Sequence, residues 1–320
     1  MARRTQPVEE LFIAACAGDR AALARLLSLI ERGADEARVV GRLSYPLGGR
    51  AYTVGITGAP GAGKSTLTSA TIGHLRSLGL EVAVLAIDPS SPFTGGAILG
   101  DRVRMQDHAT DPGVFIRSMA TRGHLGGLSL STPEAIRLLD AVGREWVLVE
   151  TVGVGQVEVE IAGKADTTVV VVNPGWGDSV QANKAGLMEI ADIFVINKSD
   201  RKGTDVTRRD LEQMLELSDL AHETWRPPIL ATVGTTAQGV PELWHAVLEH
   251  REFITANGIL TQRREFRLRE ELREIVARRL QQKARELCGG DRWDALQADV
   301  LQRQLDPWGA ADEMLASIGA

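Results

Sequence analysis

The sequence predicts an α/β fold in which a mainly parallel β-sheet is flanked by helices. The first observation is that short apolar runs alternate with longer segments of helical periodicity from residue 51 onward. The second is that several runs are apolar almost throughout, as strands covered on both faces should be. The third is that polar motifs follow these runs, and ligands of parallel sheets bind at the carboxyl ends of strands.

The bulk properties of the 320-residue chain fit a globular protein larger than one ordinary domain. Hydrophobic residues make up 44%, charged residues 24%, and the net charge of −6 gives no electrostatic reason to bind nucleic acid. No apolar run is long enough for a membrane span or a signal peptide, and Cys16 and Cys288 have no metal-ligand spacing. We therefore expect a cytoplasmic protein without a membrane or nucleic-acid partner.

The elements follow in order along the chain. Residues 1–50 are predicted to form a helical extension, in which Ala14–Arg32 is an amphipathic helix that ends at Gly33. The α/β domain spans residues 51–255. Its predicted strands are Tyr52–Thr57, Val82–Asp88, Val114–Arg117, Trp146–Glu150, Thr167–Asn173, Ile193–Asn197 and Ile229–Thr232. Its predicted helices include Lys64–Leu78, Pro133–Val142, Ser179–Ile190 and Val240–His250.

A glycine-rich motif follows the first predicted strand. Its sequence is Gly58-Ala59-Pro60-Gly61-Ala62-Gly63-Lys64-Ser65-Thr66, which fits the pattern G-x-x-x-x-G-K-[ST]. The glycines allow backbone amides to surround phosphates, and the following helix adds its positive end. We expect Lys64 to reach the β- and γ-phosphates and Ser65 to ligate Mg²⁺. A glycine-rich turn without a nucleotide is the alternative, but the strand–loop–helix context favours a P-loop NTPase.

A second motif, Asn197-Lys198-Ser199-Asp200, ends a later strand and has the form N-K-x-D. Guanine presents two neighbouring N–H donors that the Asp200 carboxylate can accept, whereas adenine would leave that carboxylate unmatched. Asn197 would brace the loop, and the stem of Lys198 would lie against the purine. Thr232, in the segment 232–236, would contact the base from the other side. The alternative for the motif is an ordinary surface turn.

Four further residues are candidates for the metal and for catalysis. Glu150 and Gly153 form E-x-x-G at a strand end, where the carboxylate would sit near Mg²⁺ and the Gly153 amide would bond the γ-phosphate. Asp88 ends the second predicted strand, and Asp101 lies in a turn-rich segment that would close onto the metal. A turn cap is the alternative for Asp88, and a solvated loop carboxylate is the alternative for Asp101.

The residue after Gly153 also bears on the rate of hydrolysis. Small GTPases place a water-orienting glutamine there, but this chain has Val154, with Gln156 two residues further on. We expect slow intrinsic hydrolysis that a partner accelerates.

The C-terminal region, residues 256–320, contains a charge-rich stretch, Arg263–Leu287, with leucine, isoleucine and valine along one stripe. This pattern predicts a long amphipathic helix. It either packs on its own domain or serves as a dimerisation arm.

Four segments together resemble the MeaB/MMAA family of GTPase chaperones of adenosylcobalamin-dependent acyl-CoA mutases, once labelled ArgK transport kinases. They are Glu150–Gln156, Asp88-Pro-Ser-Ser, Gly95–Arg102 and Pro174–Lys184. The resemblance implies a homodimer that binds Mg²⁺ and GTP or GDP, with adenosylcobalamin bound only by the partner mutase. Val157, which precedes Glu158 after the glutamine, departs from the usual family pattern.

The resemblance also implies roles for individual residues. Lys64, Ser65, Asp88, Asp101 and Glu150 would form the phosphate–magnesium site. Asp178, Gln181 and Lys184 would belong to an additional switch that relays the nucleotide state to the mutase; the alternative there is a capped helix start. The rival functions are a nickel metallochaperone GTPase, a kinase of a transport protein, and a signalling or assembly GTPase with a client that does not use cobalamin.

Overall fold

A computed structural model describes residues 6–89, 106–121, 131–151, 163–175, 189–217 and 225–316. Seven parallel strands form one sheet in the order β3-β2-β4-β1-β5-β6-β7. The strands are β1 Tyr52–Gly58, β2 Val82–Pro89, β3 Val114–Thr121, β4 Trp146–Thr151, β5 Thr167–Val172, β6 Ile193–Asn197 and β7 Ile229–Thr232. The predicted α/β class is confirmed.

The helices of the described residues lie before, between and after the strands. They are α1 Val8–Cys16, α2 Arg20–Arg32, α3 Ala37–Ser44, α4 Lys64–Ser77, α5 Ser131–Ala141, α6 Thr204–Leu217, α7 Val240–Ala256, α8 Ile259–Leu287, α9 Asp291–Leu301 and α10 Pro307–Ala316. Most of the predicted helix Ser179–Ile190 lies outside the described residues. Within the described ranges, no helix has the length and apolarity that crossing a membrane requires.

The predicted single helix Ala14–Arg32 is wrong: α1 ends at Cys16 and α2 begins at Arg20. The break arises because Gly18 has φ of 97° and the Asp19 carboxylate caps α2 by accepting the backbone N–H groups of Ala21 and Ala22.

Two further differences from the predicted boundaries also have a physical cause. β3 runs to Thr121 rather than Arg117, because its backbone stays in register with β2 as far as Pro89. α7 continues from His250 to Ala256, because Ile254 is buried in the same core as the earlier turns of the helix.

The sheet is buried on both faces, which explains why its strands are apolar almost throughout. On one face, α4 and α7 pack on alternate strand residues such as Ile56, Leu148 and Val171. On the other face, α5 and the N-terminal helices α1–α3 cover β2, β3 and β4, while α6 covers β5 and β6. The N-terminal helices therefore share a hydrophobic core with the sheet.

The amino ends of the central strands carry buried charges. Asp166, directly before β5, accepts the backbone N–H of Thr53 at 3.0 Å. The same carboxylate is paired with Arg264, at 2.6 Å, and with Arg267, both from the first turns of α8. Burial acts to raise the pKa of Asp166, but the hydrogen bonds and charges of the two arginines hold it below its usual value. This carboxylate therefore ties the first turns of α8, as far as Arg267, to the sheet.

A second carboxylate, Asp192, repeats this arrangement directly before β6. It accepts the backbone N–H of Thr168 at 2.8 Å and the guanidinium of Arg263 at 3.1 Å. His250 Nε2 lies 3.1 Å from Asp192 Oδ1, and His250 Nδ1 lies 2.8 Å from Thr167 Oγ1. We call Arg263, Arg264 and Arg267 the arginine clamp.

The chain divides into two compact units, residues 1–267 and 268–320. The first unit contains the sheet, its covering helices and the arginine clamp. In the second unit, Leu296 of α9 and Met314 of α10 are buried, and Arg292 donates a hydrogen bond to the backbone carbonyl of Glu313 at 2.7 Å.

Candidate nucleotide-binding site

The glycine-rich motif connects β1 to α4 through a loop whose glycines have positive φ. Gly61 has φ of 74° and Gly63 has φ of 90°, values that side chains with a Cβ rarely adopt. A Cβ on Gly58 would overlap the backbone carbonyl of Val171 in β5, and one on Gly63 would stand 2.5 Å from Asn197 Nδ2. These close approaches leave no room for a side chain at Gly58 or Gly63.

Lys64 begins α4, and its side chain is only 6% exposed. Its ammonium group donates hydrogen bonds to the carbonyl oxygens of Gly58, at 2.6 Å, and Ala59, at 3.1 Å. These contacts fold the lysine back across the loop, so that a buried positive charge lies beside its backbone. Such a site favours an anion.

Ser65 and Glu150 bring two oxygen atoms together from different elements. The Ser65 hydroxyl, in the first turn of α4, donates to Glu150 Oε1 at 2.6 Å, and both side chains are buried. Glu150 reaches this position because β4 lies beside β1 in the sheet, with Ile56 and Glu150 in register. A hydroxyl and a carboxylate are ligands that Mg²⁺ prefers, so the pair fits the predicted metal site. Thr66, also in the first turn, is half-buried.

Asn197, the last residue of β6, connects the two nucleotide motifs. Its amide nitrogen donates to the carbonyl oxygens of Ala62, at 2.8 Å, and Gly63, at 3.3 Å. Its Oδ1 atom accepts the backbone N–H of Gly234 at 3.0 Å and the Thr232 hydroxyl at 3.2 Å. One buried amide therefore holds the glycine-rich loop, the N-K-x-D motif and the segment after β7 at fixed distances.

Lys198 and Asp200 follow Asn197. Lys198 has φ of 60°, and its ammonium group donates to the Gly61 carbonyl at 2.7 Å. The adjacent Ser199 amide donates to the Thr232 carbonyl at 3.0 Å. Asp200 is exposed, so its carboxylate is accessible to a ligand. The structure thus brings the predicted base-reading residues to the same sheet edge as the phosphate loop.

Gly234 is a residue whose contribution the sequence reasoning missed. A Cβ at this position would stand 3.2 Å from the Leu67 backbone nitrogen in α4 and 3.4 Å from Asn197 Oδ1. Glycine therefore allows the segment after β7 to approach both α4 and Asn197. A glycine two residues after a strand, in the predicted base-binding segment 232–236, was the available signal.

Several predicted residues lie outside the part of the chain that the structure describes. They are Asp101, Gly153, Gln156, Asp178, Gln181 and Lys184. The backbone of Asp88 pairs with Ala120 at the end of β2, while its side chain is outside the described set. Among the described residues, no three His, Cys, Asp or Glu side chains form a group that could hold a metal ion.

Comparisons with known proteins agree on one family. The family model described as "Methylmalonyl Co-A mutase-associated GTPase MeaB" matches residues 23–288. A "Putative GTPase" of Pyrococcus horikoshii is 52% identical over 315 residues, which cover 98% of this chain and 99% of that protein. "GTPase ArgK" of Escherichia coli is 40% identical over 264 residues, 80% of each chain.

The chain is also similar to a solved structure. The crystal structure of "LAO/AO transport system kinase" covers 100% of both chains, with 27% identity and a TM-score of 0.70. The fold and the family-level match thus extend well beyond the nucleotide motifs.

Proposed function

Because the chain belongs to the MeaB family of GTPases, we propose that it is a chaperone of an adenosylcobalamin-dependent acyl-CoA mutase. In this role it couples GTP binding and hydrolysis to loading, protection or reactivation of the mutase cofactor. The observation that carries the proposal is the family match over residues 23–288, whose description names a mutase-associated GTPase. All of the site residues that the structure describes lie within that match.

The phosphate end of the site rests on Lys64, Ser65 and Glu150. Lys64 exchanges its two carbonyl partners for phosphate oxygens when a nucleotide is bound. The Ser65 hydroxyl donates a hydrogen bond to Glu150 Oε1, so the two oxygen atoms that would ligate Mg²⁺ already lie 2.6 Å apart. Bound Mg²⁺ supplies positive charge that offsets the charge of the β- and γ-phosphates. Asp88 and Asp101 complete the proposed ligand set, and the Gly153 amide contacts the γ-phosphate.

The base end rests on Asp200, whose exposed carboxylate accepts the two N–H donors of guanine. The backbone of Lys198 adopts the left-handed conformation. The hydrogen bond from its ammonium group to the Gly61 carbonyl directs its aliphatic side chain along the phosphate loop. Thr232 lies on the other side of Asn197 and contributes to the same pocket. Guanine and phosphate are thus read by loops that Asn197 joins.

The proposed hydrolysis is slow without a partner. Val154 occupies the position where a glutamine would orient the attacking water, and its side chain cannot donate or accept a hydrogen bond. The mutase would raise the rate by acting on the switch that carries Asp178, Gln181 and Lys184.

We further propose that the protein is a cytoplasmic homodimer that associates through α8. Leu272 and Leu280 are each 62% exposed in the single chain, and no described residue of α8 is buried. An apolar stripe of this length on a soluble helix is typical of a partner-binding face. Changing both leucines to glutamate should give monomers in sedimentation experiments; an unchanged dimer would exclude this face.

The deciding experiment measures steady-state GTP hydrolysis by the full chain, alone and with a purified adenosylcobalamin-dependent acyl-CoA mutase from the same genome. We expect a slow basal rate that rises several-fold with the mutase. The same mixture with Lys64→Ala controls for hydrolysis by contaminants. A rate that no such mutase changes would contradict the chaperone role and favour an assembly GTPase, of metallochaperone type or with another client.

A further inference from the structure

Two side-chain contacts fasten the chain segment before β3 to the helix that follows the phosphate loop. His108, in a 3-10 turn at Gln106–His108, has its Nε2 atom 3.1 Å from Ser69 Oγ and 3.0 Å from the Ser69 carbonyl oxygen. Asp111 accepts a hydrogen bond from Arg76 Nε at 2.8 Å. Both Ser69 and Arg76 belong to α4, which begins at Lys64.

The contacts of His108 lie on the face of α4 that carries Ser65. Ser65 and Ser69 are four residues apart, and residues at this spacing are neighbours on a helix surface. Gly73 is four residues further, and a Cβ there would stand only 3.9 Å from His108 Cε1. The imidazole therefore packs one helical turn beyond the serine whose hydroxyl contacts Glu150.

The chemistry of this contact requires an N–H donor. The Ser69 carbonyl oxygen can only accept, so a hydrogen on His108 Nε2 is needed to make the 3.0 Å bond. A glutamine can supply a similar N–H donor, whereas a phenylalanine keeps a planar ring and supplies none. Comparing these two substitutions therefore distinguishes the effect of the hydrogen bond from the effect of the volume that the ring fills.

The second contact fixes the same segment independently of His108. Asp111 Oδ1 also accepts the Gly113 backbone N–H at 2.8 Å, and the Arg76 hydrogen bond holds the pKa of Asp111 below its usual value. A Cβ on Gly113 would overlap the Arg76 guanidinium. Arg76 lies two helical turns beyond Ser69, on the side away from Ser65. The Arg76–Asp111 pair therefore anchors the segment without reaching the candidate metal site.

We propose that His108 is a positioning residue for the phosphate–magnesium end of the site. By bonding Ser69, it fixes the first turns of α4 and thereby the Ser65 hydroxyl relative to Glu150. This inference rests on the proposed role of Ser65 and Glu150 as magnesium ligands. It assigns His108 no contact with the nucleotide or the metal.

The test compares His108→Phe and His108→Gln with a matched control, His74→Phe. His74 lies on the same helix, five residues after Ser69, on a different face. For each protein, Mg²⁺ is titrated in the presence of a fluorescent non-hydrolysable GTP analogue. The titration gives the Mg²⁺ concentration that keeps the analogue bound. Basal hydrolysis without mutase, affinity for GDP in the presence of EDTA, and melting temperature are measured in parallel.

His108→Phe should raise the required Mg²⁺ concentration about tenfold, the lower end of the effect of outer-shell partners on metal sites. Its metal-free GDP affinity should match that of the wild type, and His108→Gln should restore most of the Mg²⁺ response. His74→Phe should change none of these. Ser69→Ala keeps the carbonyl acceptor and should give a smaller shift in the same direction, which preserves the test if His108→Phe does not fold.

An unchanged Mg²⁺ requirement in folded His108→Phe or in Ser69→Ala would overturn the proposal. So would a shift that His108→Gln shares in full, since the ring and not the N–H would then be responsible. Failure of the mutase to stimulate hydrolysis would contradict the chaperone role alone, because these measurements use the protein without mutase.

Discussion

The two ends of the central strands both bury polar groups, but they do so in different ways. At the carboxyl ends, the phosphate loop and Asn197 are joined mainly by amide and carbonyl groups, with the Lys64 ammonium group folded onto two carbonyl oxygens. At the amino ends, Asp166 and Asp192 are locked by the arginine clamp and by backbone N–H groups. The Asn197 bonds are neutral, and the Lys64 bonds join one charge to uncharged carbonyls, so an anionic ligand can replace the carbonyl partners of Lys64.

Because of this difference, the carboxyl ends of the strands serve ligand binding and the amino ends serve the stability of the fold. A lysine that bonds two carbonyls gives them up to a phosphate at modest cost, because a stronger charged partner replaces them. A buried carboxylate with two arginines has no such replacement, so removing one partner leaves uncompensated charge. We therefore expect changes at the carboxyl ends to affect nucleotide chemistry and changes at the amino ends to affect unfolding.

The largest expected effect comes from Asp166→Asn. The substitution leaves Arg264 and Arg267 without their carboxylate and places an amide donor near other donors. We expect the free energy of unfolding to fall by about 3 kcal/mol, as measured by denaturant titration. The folded fraction should retain wild-type guanine-nucleotide affinity. A loss of affinity without loss of stability would contradict the separation of the two ends.

Asp35→Asn provides the matched control, because Asp35 pairs with Arg38 at 3.8 Å and their side chains are 95% and 62% exposed. An exposed pair contributes at most about 1 kcal/mol to the free energy of unfolding.

The pH dependence of stability offers a second check on Asp166. The pKa of Asp166 lies below its ordinary value of 3.8, so its contribution is present above that value and is lost as the pH falls through the native pKa. Asp166→Asn should therefore lose less stability between neutral and acid pH than the wild type.

The next effect in size is that of Lys64→Ala. Removing the ammonium group should lower GTP hydrolysis about a hundredfold or more, because a positive charge directed at developing negative charge is lost. The melting temperature should fall less than in Asp166→Asn, because Lys64→Ala removes the buried charge itself, whereas Asp166→Asn leaves two arginines without their carboxylate. Lys198→Ala, which loses a bond to the same loop at Gly61, is a suitable comparison. Wild-type turnover by Lys64→Ala would remove this lysine from the mechanism.

The smallest effect is a change of base preference in Asp200→Asn. The amide offers a donor where guanine needs an acceptor, so GTP binding should weaken and xanthosine triphosphate should bind better. We expect the ratio of the affinities for GTP and xanthosine triphosphate to shift by about tenfold to a hundredfold. Melting temperature should stay constant because Asp200 is exposed. An unaltered preference would mean that another group reads the base.

Much of the candidate site could be predicted because its determinants are local. Gly58, Gly63 and Lys64 stand at fixed spacing between a strand and a helix, and this spacing alone indicates a phosphate loop. The N-K-x-D motif at the end of β6 was recognisable for the same reason. Gly234 was harder to identify, because its partners Asn197 and Leu67 are far away in the sequence.

The arginine clamp shows the opposite case. The sequence predicted that Arg263–Leu287 is an amphipathic helix, and the hydrophobic stripe offered no reason to single out its first arginines. Arg264 pairs with Asp166 across 98 positions, a partnership that exists only because β5 lies beside β1. His108 and Ser69 likewise meet only after β3 and α4 have folded against the same sheet.

The sequence by itself thus determined the class of fold, the order of its strands and helices along the chain, and the phosphate and base motifs. These depend on residues a few positions apart, whose periodicity and glycine content restrict the backbone directly. The tertiary structure alone decided that the N-terminal helices cover the sheet, that Asn197 joins two motifs, and which carboxylates the arginines hold. Such pairings link residues far apart in the sequence, so they follow from the order of strands in the sheet and not from any local pattern.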